Sequence, residues 1–242
     1  MRLFGLIGMP LAQSFSKKYF TEKFEKEGIA DSMYELFPLE EIHQLSDLLL
    51  RHSNLEGLNV TIPYKEQVLP YLHAIDEEAK AIGACNCIKI KDGKLTGFNT
   101  DAPAFRESLL HQLQPHHNKA LVLGTGGAAK AVVHVLRGLG IPFTYVSRSS
   151  GSGLVYEELS REIMEEYPLI INTTPLGSFP KVDTAPAIPY EYLTERHYLY
   201  DLVYNPAKTL FLQQGEERGA TIKNGYEMLV GQAELSWKIW NA

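Results

Sequence analysis

ALVLGTGGAA, at residues 120–129, is the stretch that decides the fold class of this chain. Four apolar residues typical of a buried strand lead into a glycine-rich turn, and a helical pattern follows. The turn fits G-x-G-x-x-A, in which Gly124 permits a tight bend and Gly126 lets the backbone approach a pyrophosphate. A helix that begins there offers unpaired N–H groups to an anion. The stretch predicts a dinucleotide-binding βαβ unit, with a glycine-rich turn that binds nothing as the alternative.

Strand-like and helix-like segments alternate along all 242 residues. This pattern is typical of α/β proteins, in which helices cover both faces of largely parallel sheets. The length allows one or two domains, and the segments before the glycine-rich turn form a set of their own. We therefore expect two domains: an N-terminal α/β domain with a mostly parallel sheet, and a Rossmann-like dinucleotide-binding domain.

Composition narrows the class of protein. A net charge of −6 argues against a general nucleic-acid binder, and the apolar runs are too short to cross a bilayer. No signal-peptide pattern opens the sequence. Cys85 and Cys87 are too few for a disulfide framework, and no further metal ligands accompany them in a known motif. We expect a cytoplasmic protein that binds a small molecule, with no nucleic-acid or membrane partner and no metal.

The end of the second strand of the βαβ unit bears on cofactor choice. NAD-binding units usually place Asp or Glu there, about 20 residues beyond the first glycine, to hold the ribose hydroxyls. Here Ser147 and Arg148 follow the apolar strand instead. The donor fork of an arginine suits a 2′-phosphate, which a carboxylate would repel. NADP is therefore predicted over NAD, although the loop Ser149–Gly153 adds no further cation.

A second stretch, GLNVTIPYK at residues 57–65, alternates apolar and polar side chains. Val60 and Ile62 are β-branched and would pack a core on one face of a strand. Asn59 and Thr61 would line the opposite face at the carboxyl end of that strand. The polar face is the part that an ordinary core strand does not explain, so we predict that it forms a wall of an active site.

Other polar side chains follow predicted strand ends. Ser14 and Ser16 lie at a helix start, where they could cap the helix or bind a carboxylate. Lys65 and Asp101 could pair, with the ammonium giving a proton to a reacting oxygen. Taken singly, Lys65 is typical of a solvated lysine and Asp101 of a helix cap. The serine-hydrolase and zinc-protease motifs G-x-S-x-G and H-E-x-x-H do not occur, so a nicotinamide cofactor would supply the chemistry.

These motifs resemble, in order and over essentially the whole chain, those of the shikimate dehydrogenase family, NADP-dependent reductases of the shikimate pathway. The segment at residues 57–65 is the most specific of them. The remaining matches are GMP at 8–10, SFS at 14–16, GACN at 83–86, NTD at 99–101, GTGGAA at 124–129, NTTPLG at 172–177, DLVYNP at 201–206, and Gly225 with Met228, Leu229 and Gln232.

The resemblance implies a role for each matching position. Lys65 and Asp101 would form the catalytic pair. The substrate's carboxylate and ring hydroxyls would be held by Ser14, Ser16, Asn59, Thr61, Asn86, Tyr204 and Gln232. The cofactor would be held by Gly124, Gly126, Gly127, Ala128, Ser147, Arg148, Thr173, Leu202 and Gly225. Ser147 departs from the family pattern, which usually has asparagine before the arginine.

The resemblance also implies an activity and a domain division. The activity is reversible NADPH-dependent reduction of 3-dehydroshikimate to shikimate, in the biosynthesis of chorismate and the aromatic amino acids. Residues 1–101 with 225–242 would bind substrate, because the final helix folds back, and residues 102–224 would bind NADP. A quinate/shikimate dehydrogenase that uses NAD and a non-catalytic cofactor-binding regulator are the alternatives. The sequence leaves a monomer and a homodimer equally open.

Overall fold

The structure is a computed structural model, and it describes residues 1–11, 14–149, 151 and 153–242. Its packing divides the chain into two compact units. Residues 1–100 with 233–242 form the first unit, and residues 101–232 form the second. Each unit has its own sheet and helices, which confirms the predicted α/β class. The assignment of one domain to substrate and the other to cofactor stays a prediction.

The first unit alternates strands with short helices. Its elements are β1 Arg2–Gly8, α1 Phe15–Glu27, β2 Ser32–Pro38, α2 Leu45–Arg51, β3 Leu55–Val60, α3 Tyr64–Gln67, β4 Ala74–Ile75, α4 Glu77–Ile82, β5 Cys87–Lys91 and β6 Lys94–Phe98. The strand order is β2-β1-β3-β5-β6-β4. The pairs β1–β2, β1–β3 and β4–β6 are parallel, whereas β5 runs antiparallel to β3 and β6.

The strand at residues 57–65 is shorter than its alternating pattern predicts. Val60 is buried as expected, but β3 ends there and Ile62 is 70% exposed. The prediction that Ile62 packs the core is therefore wrong. The chain turns after the strand, with the Tyr64 amide donating to the Thr61 carbonyl at 2.9 Å. Pro63 could not donate to a ladder, and the buried Tyr64 side chain enters the core instead.

The last helix, α9 Tyr226–Asn241, completes the core of the first unit with its C-terminal part. The Trp240 ring stacks on Phe4 with centroids 4.8 Å apart, and its Nε1 donates to the Ile88 carbonyl at 3.0 Å. A Cβ on Gly57 would lie 2.5 and 2.6 Å from two carbons of that ring. The first residue of the stretch at 57–65 must therefore be glycine because an indole fills the space beside it.

The second unit has a parallel sheet. Its elements before α9 are α5 Asp101–Leu110, β7 Ala120–Leu123, α6 Gly127–Gly138, β8 Phe143–Ser147, β9 Gly153–Val155, α7 Arg161–Glu166, β10 Leu169–Asn172, β11 Tyr198–Asp201, α8 Leu210–Glu217 and β12 Thr221–Lys223. The strand order is β12-β11-β10-β7-β8-β9, and each neighbouring pair is parallel. Counted from β7, this is the 3-2-1-4-5-6 order of dinucleotide-binding sheets, which confirms the Rossmann-like prediction.

The reversal of strand order between β7 and β10 locates a crevice. In open α/β sheets, ligands bind outside the carboxyl ends of the strands at such a switch point. The glycine-rich turn follows β7 directly, so it lies at this crevice. Across the described parts of the chain, no helix combines the length and apolar character needed to cross a bilayer.

Candidate active site

The switch point of the second unit brings Gly124 and Thr173 together. The Thr173 backbone amide and hydroxyl both donate to the Leu123 carbonyl, at 3.0 and 2.7 Å. Gly124 has a φ of 99°, which favours glycine, and a Cβ on it would lie 2.9 Å from the Thr173 hydroxyl. The two predicted cofactor-binding residues therefore adjoin each other at the ends of β7 and β10. Their contact with a cofactor stays a prediction.

The turn before α6 leaves its backbone open to a ligand. Gly126 is the N-cap residue, and nothing lies within 4 Å of the position that a Cβ on it would occupy. Gly127 and Ala128 form the first helical residues and are half-buried. Because Gly126 has no side chain to cap the helix, the first-turn amides of this 12-residue helix are suited to an anion. The residues present thus fit a pyrophosphate.

Arg148 extends the same edge of the sheet. It is exposed and follows the last residue of β8, Ser147, whose hydroxyl donates to the Ser149 carbonyl at 2.7 Å. Burial raises the pKa of the Tyr156 phenol, and the positive charge of Arg148 opposes that rise. An exposed guanidinium suits an adenosine 2′-phosphate. Of the uncharged loop Ser149–Gly153, two serines lie outside the described residues.

A buried polar cluster at the ends of β10 and β11 was not predicted from the sequence. The Asp201 carboxylate is fully buried and accepts hydrogen bonds from Asn172 Nδ2 at 2.9 Å, Thr209 Oγ1 at 2.5 Å and the Val203 amide at 3.0 Å. Asn172 Oδ1 in turn accepts from the Thr174 amide at 3.0 Å. Apart from Thr209, this cluster lies within the motifs at residues 172–177 and 201–206, and it fixes the two loops that follow these strands.

Asp201→Asn is expected to change how the stability of the protein depends on pH. Burial raises the pKa of Asp201 to about 6, against three donors that favour the charged form. Because the carboxyl pKa is higher in the folded protein than in the unfolded chain, this group stabilises the folded protein below about pH 4. That stabilisation is lost as the pH rises to about 6. The asparagine variant lacks that loss, so its free energy of unfolding relative to wild type should rise by about 3 kcal/mol between pH 4 and 7. Denaturant titration at several pH values measures this difference, and parallel pH curves would contradict the assignment.

The other predicted positions of the second unit lie beyond this cluster. Leu202 follows β11, and the Gly225 amide donates to the Val203 carbonyl at 3.1 Å. A Cβ on Gly225 would lie 2.7 Å from the Leu202 carbonyl carbon, so only glycine allows the two backbones to meet. Tyr204 is half-buried, and burial raises its pKa. Gln232 is half-buried on α9, where its amide donates to a backbone carbonyl at 3.0 Å.

In the first unit, Ser14 and Ser16 begin α1. Ser14 is the N-cap residue, and its Oγ accepts from the Ser16 amide at 3.3 Å, so the capping role left open by the sequence is present. A hydroxyl that accepts in this way still carries a proton to donate. Ser16 is buried. Binding of a carboxylate by these serines stays a prediction.

Lys65 is held by its neighbours in a fixed backbone position. It is the second residue of α3, and the preceding Tyr64 anchors that turn through its O–H, which donates to the Leu39 carbonyl at 2.6 Å. The Lys65 carbonyl accepts from the Cys85 amide at 2.8 Å. Thr61, half-buried at the end of β3, starts the same turn. The lysine therefore emerges from a helical turn that both the core and the segment at residues 83–86 support.

Asn59 and Asn86 belong to one buried network. The Asn59 amide nitrogen donates to the Asn86 carbonyl at 3.3 Å and to the Ser236 hydroxyl at 2.8 Å, and its oxygen accepts from the Tyr34 phenol at 2.9 Å. The Asn86 side chain accepts from the Thr100 amide at 2.7 Å and donates to the Thr100 hydroxyl at 2.9 Å. The network places the two predicted asparagines together. Sequence reasoning missed Tyr34 and Ser236, which lie outside the motifs, and it gave Thr100 no role although Thr100 lies in the motif at residues 99–101.

Asp101 is the first residue of α5 and is buried. A carboxylate in the first turn of a helix is stabilised by the helix dipole, whereas the helix-cap role that the sequence left open stays a prediction. It belongs to the second unit, whereas Lys65 belongs to the first. The catalytic pairing of these two residues stays a prediction. Among the described residues, no group of three His, Cys, Asp or Glu side chains is arranged to hold a metal ion.

Comparison with known proteins gives the family. Residues 6–88 match the model of the shikimate dehydrogenase substrate binding domain. Shikimate dehydrogenase (NADP(+)) of Clostridium beijerinckii is 41% identical, over 99% of this chain and 92% of its own length. The enzyme of the same name from Carboxydothermus hydrogenoformans is 36% identical, over 99% of this chain and 91% of its own length.

A solved structure extends the likeness to three dimensions. Shikimate 5-dehydrogenase of Thermus thermophilus, in complex with NADP(H) and shikimate, superposes with a TM-score of 0.86. It is 32% identical, and the match covers 99% of this chain and 93% of that one. The sheet order, the glycine-rich turn and near-complete alignment at these identities lead to one conclusion: this chain belongs to the shikimate dehydrogenase family.

Proposed function

We propose that this chain catalyses the reversible NADPH-dependent reduction of 3-dehydroshikimate to shikimate, a step in chorismate biosynthesis. Family membership supports the reaction, and the names of the relatives support NADP as the cofactor. We also propose that the protein works in the cytoplasm as a monomer or homodimer. The two cysteines are buried and not joined in a disulfide, which suits a reducing compartment.

The second unit would bind the cofactor through backbone and charge. The amides at the start of α6 would hold the pyrophosphate, with Gly126 leaving room for its close approach. Arg148 would hold the 2′-phosphate, while Thr173, Leu202 and Gly225 would border the ribose or nicotinamide. When bound, NADPH supplies the hydride for reduction.

The first unit would bind and protonate the substrate. Ser14 and Ser16 would hold the carboxylate beside the start of α1, and Thr61 and Asn86 would hold ring hydroxyls. Tyr204 and Gln232, from the second unit, would add further donors. Reduction of the C3 carbonyl requires a proton at its oxygen as well as a hydride at its carbon. Lys65 would give that proton, and Asp101 would orient the lysine and the adjacent hydroxyl.

One observation carries the proposal: hydrogen bonds tie the lysine segment to the two segments that follow it. The Cys85 amide donates to the Lys65 carbonyl at 2.8 Å, and the next residue, Asn86, is bonded twice to Thr100. A hydroxyl, an ammonium and an amide would thereby come from neighbouring segments of the first unit. These are the groups that a polyhydroxylated keto acid requires.

A four-way assay tests the proposal. Shikimate and quinate are each offered with NADP and with NAD, and reduced cofactor is followed by its absorbance. Turnover of shikimate with NADP is the expected result. A preference for quinate or NAD would support the alternative dehydrogenase. Binding of NADP without turnover of either acid would support the non-catalytic regulator.

Arg148→Ala is expected to weaken binding of NADP but not of NAD. The guanidinium would contact a phosphate that NAD lacks, and loss of one charge-assisted contact costs on the order of 2 kcal/mol. The dissociation constant for NADP should therefore rise about 30-fold. Calorimetric titration with both cofactors measures the difference, and Arg137→Ala, on the last turn of α6, serves as the control. Equal losses for NADP and NAD would refute a 2′-phosphate contact.

A further inference from the structure

A chain of buried polar side chains leads from β2 to the proposed substrate-binding residue Asn86. The Tyr34 phenol donates to Asn59 Oδ1 at 2.9 Å. Asn59 Nδ2 donates to the Ser236 hydroxyl at 2.8 Å, and that hydroxyl lies 3.4 Å from Thr100 Oγ1. Thr100 in turn is bonded to Asn86.

The Asn59 amide is fully engaged within this chain. Its two N–H bonds point to the Ser236 hydroxyl and the Asn86 carbonyl, and the same carbonyl accepts the Val60 amide at 2.8 Å. Asn59 is only 4% exposed. Because both of its amide protons are donated to the protein, Asn59 acts on a ligand through its neighbours. Its hydrogen bond to the Asn86 carbonyl fixes the position of Asn86.

We infer that Tyr34, Asn59 and Ser236 are positioning residues for substrate binding, which together hold Asn86 in place. The inference rests on the proposed function. It gives Asn59 an indirect role in place of the direct contact that the family resemblance implies. It also makes the last helix a part of the substrate site, since Ser236 is supplied by α9 and is fully buried.

The physical reason for such a network is specificity. Buried polar groups stabilise a fold no better than apolar groups of the same shape, and each becomes costly when one partner is lost. A network in which every member is satisfied instead fixes one arrangement of its side chains. Here that arrangement sets which way the Asn59 amide faces, and through it the orientation of a predicted ligand-binding amide.

The test measures binding of shikimate and NADP, separately, to the full chain and its variants by calorimetry. Ser236→Ala and Tyr34→Phe should each raise the dissociation constant for shikimate about 10-fold, the effect of one well-oriented hydrogen bond. The dissociation constant for NADP should stay unchanged. Because both substitutions act through Asn59, the dissociation constant of the double variant for shikimate should be about that of the single variant that binds shikimate less tightly. Ser236→Thr, which keeps the hydroxyl, should restore shikimate binding.

The second unit offers a matched pair of controls. Tyr200 and Ser108 are buried, and the phenol donates to the serine hydroxyl at 2.9 Å, as Tyr34 does to Asn59. Tyr200→Phe and Ser108→Ala should lower the melting temperature as the test variants do, yet leave shikimate binding unchanged. If Ser236→Ala does not fold, Tyr34→Phe still tests the network, because Tyr34 bonds to the opposite side of the Asn59 amide.

Three outcomes overturn the inference. If the test variants lose stability but bind shikimate as tightly as wild type, the network has only a structural role. Additive losses in the double variant would mean that Tyr34 and Ser236 do not act through Asn59. A wild-type chain that neither binds nor turns over shikimate would overturn the proposed function first and the inference with it, and this result is read before any variant is made.

Discussion

Lys65→Met is expected to lower kcat for shikimate oxidation with NADP about 1,000-fold, with KM changed by less than about threefold. Methionine has a similar length and no amine, so it fills similar space but can neither take the proton from the reacting hydroxyl during oxidation nor return it during reduction. The turn that carries the lysine is anchored by the buried Tyr64, so the variant should keep its fold. Steady-state kinetics with both substrates measures the two constants.

Two further variants separate the possible roles of the lysine. Lys65→Arg keeps the positive charge but cannot release a proton at ordinary pH, so a proton donor would not be rescued by it. Recovery of most of the activity in this variant would instead assign Lys65 to charge stabilisation. Lys94→Met, at the exposed start of β6, should behave as wild type. A large rise in KM with kcat preserved would make Lys65 a binding residue.

Gly57→Ala is expected to destabilise the protein by about 3 kcal/mol or more, through overpacking against a neighbour that has no room to move. The added methyl would lie against three atoms of the Trp240 indole, which is buried, stacked on Phe4 and bonded to the Ile88 carbonyl. Denaturant-induced unfolding measures the loss. A second substitution, Trp240→Phe, should relieve part of it, so the two changes should combine less than additively.

Gly126→Ala is the matched control for this prediction. A methyl at Gly126 meets nothing within 4 Å, so the unfolding free energy should stay close to that of wild type. The same methyl would stand where a pyrophosphate approaches the start of α6, so binding of NADP should weaken. A Gly57→Ala variant as stable as Gly126→Ala would show that Trp240 is not held tightly against β3.

The local sequence pattern predicted the fold of the second unit correctly. The order apolar strand, glycine turn and helix around residues 120–138 has a single common structural solution, and the parallel sheet followed from the alternation of elements. The family resemblance was confirmed by full-length relatives. These features depend on neighbours in sequence, which periodicity and turn residues report directly.

Long-range packing is what the sequence did not reveal. Ile62 continues the apolar alternation of its strand, yet the chain turns after Val60, so Ile62 is exposed and Tyr64 packs into the core instead. Tyr34 and Ser236 were missed because their partner, Asn59, is 25 and 177 residues away, and single buried hydroxyls carry no periodic signal. The Asp201 cluster was missed for a similar reason: its side-chain donors come from the end of another strand and from the start of a helix.

The position of Trp240 on Phe4 has a consequence for how the chain is made. Synthesis proceeds from the N-terminus, so the apolar surface of β1 emerges long before the helix that covers it. At about 5–20 residues per second, the ribosome needs roughly 7–26 s to pass from the end of residues 1–100 to the start of residues 233–242. Residues 101–232 are complete within that interval and can fold first. The first unit is thus the last to close, and the aromatic surface of β1 stays uncovered until residues 233–242 have been made.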